Sequence, residues 1–169
     1  MLKLATQQRL TGETPFTGGE FLEERKQRRL PHILTWKEQN RLLAVASPRV
    51  RMLVVLGSES GMRTQEMLQL RWAEVHLENE TIHVKKSKTF SGIRAVPISR
   101  FLKAELLRWR DLLGPDFPEW VFPQSSNTRH RLQGGRKSWA SALKKEGIAY
   151  FRQYDLRHCF ASRLSAAGA

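Results

Sequence analysis

The chain has 169 residues, enough for one ordinary domain with a real core, and its 40% hydrophobic content is that of a globular protein. It carries 29 Lys and Arg against 16 Asp and Glu, a formal charge of +13 with a pI near 10.7. Such an excess points to a polyanionic partner, because neutralising phosphates releases their condensed counterions. No apolar run approaches the ~18–20 residues of a membrane helix; the longest, residues 52–56, lies between Arg51 and Ser58. The opening Met1-Leu2-Lys3-Leu4-Ala5 runs into polar residues, without the apolar stretch of a signal peptide. Cys159 is the single cysteine, which excludes an internal disulfide and a cysteine-based zinc cluster. The five histidines show no i,i+4 pairing. The expectation is a cytoplasmic protein with no cofactor, no metal and no membrane partner.

Residues 1–30 contain turns at Thr14-Pro15 and Gly18-Gly19, then the basic run Arg25-Lys26-Gln27-Arg28-Arg29, and sustain no apolar period. They read as the remnant of a helix followed by a linker, and residues 31–169 as the main domain. The basic run is either a solvated tail or a linker that crosses a DNA backbone. Order begins at Thr35, which with Glu38 has capping-box spacing ahead of Leu42, Leu43 and Ala46. Pro48 suits the first turn of a second helix with Leu53, Val54, Val55 and Leu56, and Gly61 suits its stop. A third helix is expected over about 64–72, with Met67, Leu68 and Leu70 inward.

The period then changes. Residues 75–77, 82–84 and 95–98 are short, alternating and rich in β-branched side chains, as in a small antiparallel meander. Pro97 cannot donate to a ladder and belongs at an edge or strand end. Ser99 caps a further helix carrying Phe101, Leu102, Leu106, Trp109 and Leu113, ended by Gly114-Pro115. Val121-Phe122 is a brief strand or a core plug. Residues 125–136 are polar and basic (Arg129, His130, Arg131, Arg136), as a phosphate-contacting loop would be. Trp139, Leu143 and Ile148 mark the next helical stretch, and a last helix runs from about Tyr154 to Gly168, with Leu156, Phe160 and Leu164 as its core-facing stripe. The fold class expected is α+β, mainly helical, with a small three-stranded antiparallel sheet.

Three patches carry chemistry. Arg63 sits between a helix-stopping glycine and a new helix start, a place suited to an anion, and Glu66 three residues on can orient it. The same spacing also describes an ordinary surface ion pair. The turn Lys85-Lys86-Ser87-Lys88-Thr89-Phe90-Ser91-Gly92-Ile93-Arg94 presents lysines away from the sheet, where one could donate a proton to a leaving alkoxide or merely guard a strand edge. In Tyr154-Asp155-Leu156-Arg157-His158, positions 154 and 157 are helical neighbours that can face one ligand.

Together these patches resemble the catalytic domain of the tyrosine recombinases, the phage-integrase family. Gly61-Met62-Arg63-Thr64-Gln65-Glu66-Met67-Leu68 is similar to the family's first-arginine motif with its acidic residue. Ser87-Lys88-Thr89 with the return strand Ala95-Val96-Pro97-Ile98 resembles the hairpin of the catalytic lysine. Asp155-Leu156-Arg157-His158, running into Ala166-Ala167-Gly168, resembles the His-x-x-Arg box and its helix. Order and spacing agree over roughly residues 32–169, and residues 1–30 look like the end of a core-binding domain with its linker.

The resemblance implies metal-free strand exchange on duplex DNA through a 3′-phosphotyrosine. Arg63 and Arg157 would grip the scissile phosphate, Lys88 (or Lys86, if the hairpin is shifted) would be the general acid, and Glu66 and His158 would support the site. Lys85, Lys86, Arg94, Arg129, Arg131 and Arg136 would bind the DNA around it. Two departures stand out. Tyr154 replaces the usual histidine of His-x-x-Arg, and its phenol would hydrogen-bond a phosphate oxygen as part of the clamp. The family's last histidine or tryptophan and its nucleophilic tyrosine lie beyond the motifs present; Tyr150 and Tyr154 both precede Arg157. The chain is therefore expected to be C-terminally incomplete, to bind DNA without cutting it and to be monomeric, whereas the full-length protein would be a tetramer on paired DNA sites. The alternative is a non-catalytic DNA-binding remnant or regulatory module.

Overall fold

The computed structural model describes residues 31–85, 93–124, 132 and 136–168, and the first helix starts where its cap is expected. Thr35 Oγ1 accepts from the Glu38 amide at 3.2 Å while Glu38 Oε2 accepts from the Thr35 amide at 2.9 Å, heading α1 (Trp36–Val45). The Thr35 amide is the main reason the Glu38 carboxyl is held below its ordinary value. Replacing Thr35 by Ala removes one side of this reciprocal cap and is expected to lower stability by about 1 kcal/mol in chemical denaturation.

Pro48 opens α2 (Pro48–Ser60), the central helix, whose Val50 and Met52 to Leu56 are all buried. Gly61 ends it in the left-handed conformation (φ 59°), its amide bonding the Gly57 carbonyl at 3.2 Å. A short α3 (Thr64–Leu68) follows, and here the structure corrects the expected helix over 64–72. The helix stops because the next backbone groups pair with a distant segment: Val121 donates to the Leu70 carbonyl and Trp72 to the Glu119 carbonyl, both at 3.0 Å. Arg71 and Trp120 form an isolated antiparallel bridge, and a single 3-10 turn (Trp72–Glu74) leads onward. Val121 and Phe122, brought in by this pairing, are fully buried.

The sheet is antiparallel in the order β1 (Val75–His76), β2 (Thr81–Val84), β3 (Arg94–Pro97). Ile82 opposes Val96, and these two with Val84 turn inward on the alternating pattern. The strands begin or end a residue away from the expected positions: Leu77 falls outside β1, and β3 starts at Arg94 and ends before Ile98. Pro97 closes the outer strand β3, where it withholds no ladder bond.

Ser99 Oγ accepts from the Leu102 amide at 3.1 Å to cap α4 (Arg100–Leu113). Leu102, Leu106 and Trp109 are buried, and Trp109 donates through Nε1 to the Val121 carbonyl at 2.7 Å. In α5 (Arg136–Lys145), Trp139 and Leu143 are buried. Ile148 is buried but not helical as expected: the chain turns at Gly147, and the Ile148 amide returns to the Leu143 carbonyl at 3.0 Å, a helix-terminating bond.

The last helix, α6 (Asp155–Ala166), packs on α2. A methyl at Gly57 would lie 2.9 Å from Leu156 Cβ, and one at Gly61 2.3 Å from the Phe160 ring, so both glycines permit the approach. The expected stripe holds only in part. Leu156 is buried and Phe160 half-buried, but Leu164 is 42% exposed. Cys159 takes an inward place instead, accepting from the Leu34 amide at 3.3 Å, and burial pushes its thiol pKa up. The result is a mainly helical fold with a small three-stranded sheet. Among the described residues, no helix is long and apolar enough to cross a membrane.

Candidate functional site

The site is built around the carbonyl end of α2. Gly61 reverses the chain there, and Arg63, two residues later, is the extended residue that precedes α3. Glu66 reaches back from the first turn: Oε2 accepts from the Arg63 amide and Oε1 from Arg63 Nη1, both at 2.8 Å. The Glu66 side chain is 4% exposed and that of Arg63 43%, so the carboxylate forms a buried floor under a guanidinium open to solvent.

A second guanidinium shares this floor. Arg94 Nη2 lies 3.0 Å from Glu66 Oε2 and its Nη1 3.4 Å from Oε1. Burial alone would raise the Glu66 pKa. The hydrogen bonds from Arg94 and from the Arg63 backbone and side chain outweigh it and hold the group below its ordinary value.

Arg157 comes from the first turn of α6, and its Nη1 donates to the carbonyl of Gly61. That bond brings Arg157 to within two residues of Arg63 along the chain, at the same end of α2. A guanidinium has five N–H donors, so anchoring through one nitrogen leaves others able to grip an anion. Two guanidinium groups, Arg63 and Arg94, meet the Glu66 carboxylate, and a third, Arg157, is anchored at the Gly61 carbonyl two residues before Arg63. Tyr154 precedes α6, is 43% exposed, and its ring meets His158 edge-on with centroids 5.4 Å apart. The buried Asp155 carboxylate accepts from the Arg152 amide and from Arg152 Nη2, both at 2.9 Å.

Lys85 is exposed after β2 and, with Glu66, Met62, Arg71 and Trp120, lines a cavity of about 220 Å³, which sets it near the same carboxylate. Arg136 is exposed at the start of α5. Lys86, Lys88, Arg129 and Arg131 lie outside the described residues. Among the described residues, no three His, Cys, Asp or Glu side chains converge as a metal site would require.

The family model described as the phage integrase family matches residues 32–169. The chain belongs to the phage integrase family. Tyrosine recombinase XerA of Thermococcus kodakarensis is 30% identical over 147 residues, covering 83% of this chain and 51% of that protein. The integrase of Salmonella phage P22 is 26% identical over 147 residues, or 78% of this chain and 36% of that protein. The chain thus spans about half the length, or less, of the curated relatives it matches. A crystal structure of XerA recombinase superposes with a TM-score of 0.71 at 22% identity, covering 86% of this chain and 53% of that one. A lambda integrase dimer bound to a COC′ core site superposes with a TM-score of 0.60 at 20% identity, covering 79% and 41%. At such identities these two structures show the shared fold.

Arg157, 94 residues after Arg63 in sequence, bonds the carbonyl of Gly61, two residues before Arg63 in the chain. Sequence reasoning found the Arg63–Glu66 pair from its spacing. It missed Arg94 as a partner of Glu66, for which no local spacing gives a signal. It also missed the part of Gly57, whose only trace is a glycine inside a helix directly after the apolar run 52–56, a pattern that can mark close packing.

Proposed function

We propose that this chain binds duplex DNA and cradles the scissile phosphate between Arg63 and Arg157 for metal-free strand exchange through a 3′-phosphotyrosine. The observation that carries this reading is the bond from Arg157 to the Gly61 carbonyl, which sets a second guanidinium beside the loop that holds the first. Planar donors on both match the non-bridging oxygens of a phosphodiester and stabilise charge that grows on them in the transition state. Tyr154 supplies a phenol hydrogen bond to the same phosphate, with His158 bracing its ring. Lys88, or Lys86, is the proton donor to the leaving oxygen, and Lys85, Arg129, Arg131 and Arg136 add phosphate contacts. The net charge of +13 favours the same partner.

Tyr150 and Tyr154 both precede Arg157, and neither is assigned the attack; these 169 residues bind DNA without joining it, as monomers. The full-length protein acts as a tetramer on paired sites. Two measurements test the reading. Arg63→Ala and Arg157→Ala are each expected to weaken duplex binding about ten-fold, and to lower the salt slope by about one, against little change for Lys145→Ala. Incubation with nicked suicide substrates is expected to leave no tyrosyl adduct. An adduct, or arginine losses no greater than the lysine loss, would refute it.

A further inference from the structure

Glu66 is held from two directions, and only one of them is local. Arg63 lies three residues before it and holds the buried carboxylate through its amide and Nη1, but its own guanidinium is 43% exposed and little fixed by an i,i+3 pair alone. Those bonds tie the carboxylate only to its own loop, so Arg63 and Glu66 can still shift together with that loop. Arg94 removes that freedom. It stands at the head of β3, opposite Val84 in the ladder, and meets both oxygens of the same carboxylate with its two terminal nitrogens. Its side chain is 29% exposed, less than that of Arg63.

We propose that Arg94 is a positioning residue, which acts through Glu66 to set the guanidinium of Arg63 at the phosphate site. The sheet and the loop after α2 are thereby locked together, and the orientation of Arg63 depends on a strand 28 residues beyond Glu66. The charge sum suits this division of labour. Glu66 balances one guanidinium while the other stays available to an anion, and the carboxylate itself is too deep to meet the DNA. This inference rests on the phosphate role proposed for Arg63, whereas the positioning it describes is measurable without DNA.

The test combines side-chain NMR with a double-mutant cycle, on the whole chain. In the free protein, Arg94→Ala is expected to release the Arg63 guanidinium, seen as loss of its restrained N–H signals while the backbone spectrum stays folded. Arg94→Lys keeps the charge but loses the two-pronged grip, and is expected to release Arg63 in part; it gives the same reading should the alanine variant not fold. In duplex titrations, Arg94→Ala is expected to weaken binding about ten-fold alone but less than about two-fold in an Arg63→Ala background, as for residues acting in series. Unchanged Arg63 signals in both variants would overturn the proposal. So would a loss that carries over undiminished into the Arg63→Ala background, since that is the mark of direct phosphate contact. Should Arg63→Ala leave affinity intact while Arg94→Ala still releases its guanidinium, the phosphate role of Arg63 falls and the positioning stands.

Discussion

Replacing Gly61 by Ala is expected to lower stability by about 3 kcal/mol, and with it the midpoint of thermal unfolding by about 10 °C. Two independent costs add. At φ 59° a β-carbon sits in the left-handed region, a cost of about 1–2 kcal/mol for a residue other than glycine. The new methyl would also lie 2.3 Å from Phe160 Cδ1 and 2.8 Å from Cε1, so the ring or all of α6 must move away from α2. Overpacking of this kind costs about 1–3 kcal/mol. The two parts can be separated with Phe160→Ala, which clears the space but leaves the backbone conformation as it is. In that background Gly61→Ala should cost only about 1–2 kcal/mol in urea denaturation. A Gly61→Ala cost below about 1 kcal/mol in the parent would contradict the packing described. Because the Gly61 carbonyl also anchors Arg157, the variant should lose duplex affinity along with stability, even at temperatures where it remains folded.

Much of this architecture can be read from local sequence, because local rules govern it. Thr35 with Glu38, Ser99, Pro48 and Gly61 punctuate the helices by backbone hydrogen bonding or conformation, and each effect acts within about four residues. The strands show through period-two alternation, and the Arg63–Glu66 pair through helical spacing. What escapes is set by contacts between distant segments. Leu70 and Trp72 have helical character, but their backbones are claimed by residues 119–121. Leu164 continues a plausible apolar stripe, yet the tight contact of α6 with α2 is made around Gly57 and Gly61 and faces Leu156, Cys159 and Phe160. Arg163, one position earlier, instead lies over the Trp36 ring at 3.8 Å and donates to Gln39 Oε1 at 2.8 Å. Arg94 reads as one more cation in a basic turn; its role depends on the register of β3 against β2, which no window of the sequence displays.

Glu66→Gln should be the most informative change within the site itself. It keeps the size and one acceptor of the side chain but removes the charge that faces Arg63 and Arg94. Breaking a buried ion pair costs about 3–5 kcal/mol when the orphaned charge stays buried. Here both arginines are partly exposed, and solvent can take up part of the loss, so about 2 kcal/mol at neutral pH is the expected cost. The pH dependence gives a sharper signature. Glu66 is held below its ordinary value in the folded protein, so the unfolded chain binds its proton more readily. Its contribution is therefore complete above the ordinary glutamate value of about 4.3 and is lost as pH falls through the lower, folded value. The gap in stability between the parent and Glu66→Gln should be widest near neutrality and close on acidification. Glu38 and Glu105 are also held low, by the Thr35 amide and by hydrogen bonding from Arg51 respectively, so the variant should keep a residual acid dependence. A gap that stays constant from pH 7 to pH 3 would mean that the carboxylate charge does not hold these guanidinium groups, and would remove the basis on which Arg63 is set in place.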